Sequence, residues 1–419
     1  MSSALETLCG QAYGAKQYKK VGIQTYTAIF SLLTVCIPLA IFWRYTGPLL
    51  ILIGQSPSIS NEAGKFITWL IPALFAYAIL QPLVRYFQMQ SMLLPMLASS
   101  ITALCLHIPL CWALVYKTGL GNIGAAISMG VAMWANVVFL LFYMMYSPSC
   151  AKTRSPISTE VFHGMKQFFS FAIPSAVMIC LELWSYELII LLSGLLPNPE
   201  LETSVLSICL NTISTLYAIP YGLAAGVSTR VSNELGAGNP RGAGVAVNAI
   251  IILAIVEATI VSMIVFVDRH IFGYIFTNEK EVVDYVTKIA PLLCVNIIMD
   301  SLQGTLSGNI TLLQVCFIYM KGGCLTIDET GVARGVGWQR LGAYANLAAF
   351  YLVGIPVAAL LGFGTSLRGE GLWIGILVGA TIQVFLLSVV TFCTNYEKQA
   401  TKAKERLLEE ECSTEDMLM

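Results

Sequence analysis

The chain has 419 residues, 57% of them hydrophobic and only 11% charged, with a net charge of −1 and a mean hydropathy of +0.75. A soluble domain carries roughly 25% charged residues, so this is the composition of a polytopic membrane protein, long enough for about a dozen crossings at ~20 residues each. The charge balance excludes a nucleic-acid binder, and three scattered histidines (His107, His163, His270) suggest no metal site.

The opening residues, Met1 to Gly10, lack a basic n-region and a long apolar core. They do not form a signal peptide and read as a fragment of an apolar helix. Ten full apolar windows follow, at 24–46, 65–87, 96–117, 121–146, 164–196, 204–232, 243–268, 286–308, 341–362 and 371–394. Prolines inside them (Pro38, Pro72, Pro109, Pro174, Pro220, Pro356) would break soluble helices, whereas in membrane helices they make kinks. Gly222, Ala224, Ala225 and Gly226 suit close helix packing. The twelve cysteines are scattered without a CxxC pair and read as small hydrophobes in helices. The charged tail, 395–419, reads as a solvated or loosely helical end.

Basic residues set an orientation. With segment 147–163 in the cytosol, 16 of the 23 lysines and arginines fall on the cytosolic side, among them Lys16, Arg85, Lys152, Arg154, Arg241 and Arg340. The positive-inside rule favours that arrangement.

A weak repeat also runs through the chain. Gly14-Ala15 aligns with Gly236-Ala237 and Leu80-Gln81 with Leu302-Gln303, both at an offset of 222. Ile108-Pro109 then aligns with Ile355-Pro356, and Gly124 with Gly371, at an offset of 247. The consistent order predicts two parallel halves, a common transporter plan. It also predicts an extra segment after Leu302 and a first half lacking the counterpart of about residues 161–222.

Three acids lie inside apolar windows: Glu182, Glu257 and Asp300. A carboxylate at the bilayer centre costs at least about 2.5–3.5 kcal/mol, so membrane proteins seldom carry one without a use. Loss of water penalises its charged form, which suits a group that takes up and releases protons. Glu182 is followed by Trp184, Tyr186 and Glu187, and aromatics beside a carboxylate suit organic cations. Asp300 has Asn296 and Gln303 within a turn. For both, a purely structural hydrogen bond between helices is the weaker alternative. Glu257 has only Thr259 and Ser262 nearby and reads as packed, protonated or snorkelling. The stretch from Gly236 to Gly242 is neither a dinucleotide fingerprint nor a Walker loop, and no GK[ST] follows any glycine run. The energy source expected is an ion gradient or the solute's own.

The strings LETLCGQAYGAKQY, CLELWSYE, LLPNPELETSVLSICLNT, YGLAAGVSTRVSNELGAGNP and VARGVGWQ closely resemble the plant branch of the multidrug and toxic compound extrusion (MATE, or DETOXIFICATION) family. The likeness covers nearly the whole chain outside 309–331 and the tail. It implies twelve helices in two six-helix lobes and proton-coupled efflux of organic cations or secondary metabolites by alternating access. It also implies that the acids tied to coupling lie in the second lobe. By motif these fall on Glu182 and Asp300. Glu187 becomes a cavity-lining acid, and Asn211 stands where some animal relatives carry an acid.

The chain departs from the family pattern twice. Members carry a tail, one span and most of another before SALETLCGQAYGA, so the resemblance, like the repeat, implies that the first lobe here is incomplete. Members also read LSGVARG, whereas here 23 residues, 309–331, interrupt that motif. The apolar part of the insert, Ile310 to Met320, is too short to span a bilayer. A retained intron or faulty gene model is the first explanation, and an extended cytosolic loop the second.

The expected fold is therefore an all-α polytopic membrane protein, a MATE-type two-lobe bundle. The first lobe is expected over 1–146, a cytosolic linker over 147–163, the second lobe over 164–394 with the insertion, and the cytosolic tail over 395–419. The expected function is a proton-coupled antiporter for organic cations, xenobiotics or secondary metabolites, not an enzyme. Glu182, Asp300 and Glu187 are the expected proton-coupling and substrate residues. Trp184, Tyr186, Asn211, Asn296 and Gln303 are the expected cavity-lining residues. No cofactor beyond the proton gradient is expected; the partners are a small organic solute, protons and the bilayer, with no nucleic acid and a monomeric state. Either the vacuolar or the plasma membrane fits. The alternatives are a non-transporting truncated isoform and a lipid-linked oligosaccharide flippase. The flippase would favour a basic cavity, against the acids found here.

Overall fold

The computed structural model describes residues 1–52, 54, 56–156, 158–306 and 339–392, and within them the regular structure is entirely helical. The insertion 309–331 and the tail 395–419 lie outside the described residues. Among those residues, ten helices are long and apolar enough to cross a membrane, one in each window expected from the sequence.

The chain divides into two compact units, Met1–Ser170 and a second from Phe171 onward. The first contains α1 (Ala4–Gly14), α2 (Tyr18–Arg44), the short α3 (Thr46–Leu52), α4 (Pro57–Met89), α5 (Leu93–Trp112) and α6 (Asn122–Tyr146), with a small α7 (Glu160–His163). Helix α5 ends in a π-helical turn, Ala113–Lys117. Lys16 breaks α1 from α2 and Ser91 breaks α4 from α5, each in the left-handed backbone region. Helix α1 is buried along most of its length. Its Glu6 pairs with Arg85 of α4 at 2.8 Å, both side chains almost fully buried, and Arg85 Nη1 also donates to Gln88 Oε1 at 2.5 Å.

Segment 147–163 is fastened to these helices rather than loose. Thr27 Oγ1 donates to the Val161 carbonyl at 3.1 Å, and Thr153 Oγ1 donates to Gln90 Oε1 at 2.9 Å. The Tyr86 hydroxyl lies 2.6 Å from Thr153 Oγ1. Gly22 makes this docking possible, because a Cβ there would fall 2.5 Å from the Thr153 carbonyl oxygen.

The second unit holds most of α8 (Met165–Ser193), then α9 (Pro199–Leu216), α10 (Ala218–Gly236), α11 (Pro240–Val267), the short α12 (Arg269–Phe272) and α13 (Lys280–Leu306). It resumes with α14 (Gln339–Asn346), a π-helical stretch Leu347–Gly354, α15 (Ile355–Gly364) and α16 (Arg368–Phe392). Pro199 and Pro240 open their helices, where a missing N–H costs nothing. The Gly242 N–H donates to Asn239 Oδ1 at 3.1 Å, capping α11. Helices α11 and α13 are tied by reciprocal bonds: Ser262 Oγ donates to the Cys294 carbonyl at 3.2 Å, and Cys294 Sγ to the Ser262 carbonyl at 3.4 Å. Buried Glu202 joins three helices, accepting from the Tyr285 hydroxyl at 2.9 Å and from the Gly369 N–H at 3.1 Å. Trp373, Phe350, Leu206 and Ile289 lie in the apolar core between these helices.

The repeat reappears in the element boundaries. Shifted by 222 residues, the starts of α2, α3 and α4 fall within one residue of the starts of α11, α12 and α13. Shifted by 247, the starts of α5 and α6 fall within one residue of α14 and α16.

Candidate functional site

Glu182 and Tyr186 stand four residues apart on α8, and Asn296, Asp300 and Gln303 recur at four and three residues on α13. Each set therefore occupies one helix face. The two faces meet. The Tyr186 hydroxyl donates to Asp300 Oδ1 at 3.2 Å, and Asn296 Nδ2 donates to Asp300 Oδ2 at 2.8 Å and to the Tyr186 oxygen at 3.3 Å. Gln303 Nε2 donates to Glu182 Oε2 at 3.0 Å. The same oxygen accepts a longer bond, 3.4 Å, from Asn346 Nδ2 on α14, which also donates to the Met178 carbonyl at 2.8 Å. Gln383 Nε2 of α16 completes the chain by donating to Asn346 Oδ1 at 2.7 Å.

Tyr186 and Asn296, which donate to Asp300, are both neutral. Among the described residues, no lysine or arginine lies within ion-pair distance of Asp300. Asn296 is fully buried, and among the described residues its Oδ1 has no hydrogen-bond partner. An amide can serve either state of its neighbour, its nitrogen donating to a carboxylate and its oxygen accepting from a carboxyl group. Asn296 is thus suited to an acid that changes protonation. Tyr186 and Asn296 also hold the Asp300 side chain from two sides, which limits its rotamers.

On another side of α13, Asp300 lines a small cleft with Ser301, Ile297, Ile213, Leu216, Tyr217, Pro220 and Glu257. Ser301 Oγ donates to Glu257 Oε2 at 2.9 Å. Of the residues singled out from sequence, Glu182, Tyr186, Asn296, Asp300 and Gln303 lie where α8 meets α13, in two hydrogen-bonded sets, Tyr186 and Asn296 on Asp300 and Gln303 on Glu182. Trp184, 59% exposed, and the exposed Glu187 and Asn211 stand outside both sets. Asn346 and Gln383 were missed, although a lone amide in each of two apolar windows was the available clue. Glu257 was ranked low because its partner, Ser301, comes from a different helix.

The comparisons with known proteins agree with one another. The MatE family model matches residues 1–113 and 174–314. Protein DETOXIFICATION 12 of Arabidopsis thaliana is 55% identical over 407 residues, 97% of this chain and 80% of that protein. Protein DETOXIFICATION 14 of the same plant is 56% identical over 411 residues, covering 98% and 80%. The crystal structure of the eukaryotic MATE transporter AtDTX14 matches with a TM-score of 0.88 at 56% identity, over 97% of this chain and 85% of that one. A MATE crystallised in the bent conformation shares the fold at only 14% identity, with a TM-score of 0.77 over 97% and 84% of the two chains. The chain belongs to the MATE family: it is an all-helical, multi-pass membrane transporter and not an enzyme.

Proposed function

We propose that the chain is a proton-coupled antiporter that moves organic cations, xenobiotics or secondary metabolites by alternating access, in the plasma or vacuolar membrane. One observation carries this reading: two acids on different helices, Glu182 on α8 and Asp300 on α13, are each held by a donor from the opposite helix, Gln303 on Glu182 and Tyr186 on Asp300. In the outward or lumenal state, protonation of Asp300 or Glu182 discharges the site and releases the cation. Deprotonation on the cytosolic side restores the negative charge and the next cation binds. Coupling requires that the two conformations differ in affinity for both ligands, so proton and solute must compete for these carboxylates.

Tyr186, Asn296 and Gln303 act in this scheme by positioning the two acids. Trp184, with its exposed ring, supplies a face for a cationic solute. Glu187 and Asn211 extend the polar surface beyond the cluster. Segment 147–163, with exposed Lys152 and Arg154, lies on the cytosolic side.

Proton-driven uptake into proteoliposomes tests the assignment. Glu182→Gln and Asp300→Asn should each abolish uptake, since a neutral amide cannot cycle a proton. Near-normal uptake by both variants would refute it.

A further inference from the structure

Segment 147–163 lies lengthwise on the first half of α2 and changes chemical character along it. Lys152 stands at the start of the helix, its Nζ 6.0 Å from the centre of the Tyr18 ring. Thr153 and Ser155 sit against Gly22, about one turn further on. Arg154, between them, is within electrostatic reach of the Tyr26 hydroxyl. Thr27 then holds the Val161 carbonyl, and the Phe162 ring packs on Phe30 at 5.7 Å while staying 58% exposed.

From Tyr18 to Phe30 is about 18 Å of helix, and the apolar window of α2 opens between them, at residue 24. A headgroup layer is roughly 5–8 Å thick on each side of the hydrocarbon. Lys152 and Arg154 therefore fall at headgroup level and Phe162 below it. Lys16 and Lys19, both exposed, add two charges at the same end of α2, whose first turn carries no acid. Among the described residues, none of these four cations lies within ion-pair distance of a carboxylate. Glu160, the one acid of the segment, is on α7 at the aromatic end. The positive-inside rule asks only for basic residues on one side. Here a docked segment brings them to one helix end, and they lead onto an exposed ring.

We propose that this strip binds an anionic phospholipid of the adjoining leaflet. Lys152 and Arg154, with Lys16 and Lys19 beside them, hold the headgroup phosphate, and Phe162 on Phe30 carries an acyl chain. The lipid supplies the negative charge that these cations lack within the protein, and its chain covers the exposed ring.

Native mass spectrometry of the purified full chain, titrated with dioleoylphosphatidylglycerol or dioleoylphosphatidylcholine, tests the site. The two lipids have the same chains, and the wild-type protein should bind the anionic one more tightly. Lys152→Gln and Arg154→Gln should each weaken phosphatidylglycerol about fivefold and leave phosphatidylcholine unchanged, while Arg154→Lys keeps most of the affinity. Phe162→Ala should weaken both lipids. Arg241→Gln, at an exposed position on α11, should change neither. Equal wild-type affinities for the two lipids, or losses in Arg241→Gln as large as in Arg154→Gln, would overturn the proposal. Unchanged binding in Phe162→Ala would overturn the acyl-chain contact. Displacement of phosphatidylglycerol by excess inorganic phosphate would make the site one for free anions and overturn the lipid as its occupant.

Discussion

The Tyr186 hydroxyl on α8 donates to Asp300 Oδ1 on α13 at 3.2 Å, across 114 positions of sequence. This bond and the Asn296 amide, at 2.8 Å on the other carboxylate oxygen, hold Asp300 from two helices. A hydrogen bond to a charged group contributes about 1.5–3 kcal/mol. Tyr186→Phe keeps the ring and its packing against Phe350 while removing that donor. Transport should fall about tenfold or more, with the thermal unfolding midpoint in detergent close to that of the wild type. A fall in both would make Tyr186 a packing residue instead.

The Glu6–Arg85 pair is a matter of stability. Both side chains are almost fully buried, and removing Glu6 takes the carboxylate away from a buried guanidinium. Glu6→Ala should therefore destabilise the first unit by about 3–5 kcal/mol. A clear drop in the unfolding midpoint, larger than that of the exposed-pair variant Glu62→Ala, checks this. Equal drops would contradict it.

Glu202 makes a comparable contribution in the second unit. Glu202→Ala leaves the Tyr285 hydroxyl and the Gly369 N–H without their acceptor, at about 1–3 kcal/mol for each stranded donor. Limited proteolysis should show α16 released near its start, Arg368, before the rest of the unit. Wild-type resistance there would show that the bonds are dispensable.

Orientation can be read by cysteine labelling in sealed vesicles. Ser155 is buried against Gly22, so the exposed Lys152 is the better probe position. Lys152→Cys should react with an impermeant reagent from the cytosolic side, and Pro197→Cys from the opposite side. The reverse pattern would invert the proposed direction of transport.

Much of this was legible in the sequence because membrane helices are written in long apolar runs. All ten windows correspond to helices, and the repeat read from a few residue pairs matches the element starts. Glu182, Asp300 and their neighbours Tyr186, Asn296 and Gln303 stood out for the same reason: polar residues at helical spacing are conspicuous in an apolar span. What stayed hidden depends on contacts between helices distant in sequence. Asn346 lies 164 positions from Glu182, and Ser301 lies 44 from Glu257, so no local pattern could join them. The docking of 147–163 on α2 and α4 was hidden likewise, because it turns on Gly22 lacking a Cβ.

If proton and cation compete for one carboxylate site, the reciprocal experiment exposes that competition. A step of tetraethylammonium applied to proteoliposomes held at equal pH should drive protons in the opposite direction, because coupling between two ligands is mutual. A pH change inside the vesicles is expected with the wild-type protein and none with Asp300→Asn. Cation uptake by the wild-type protein without any proton movement would contradict it.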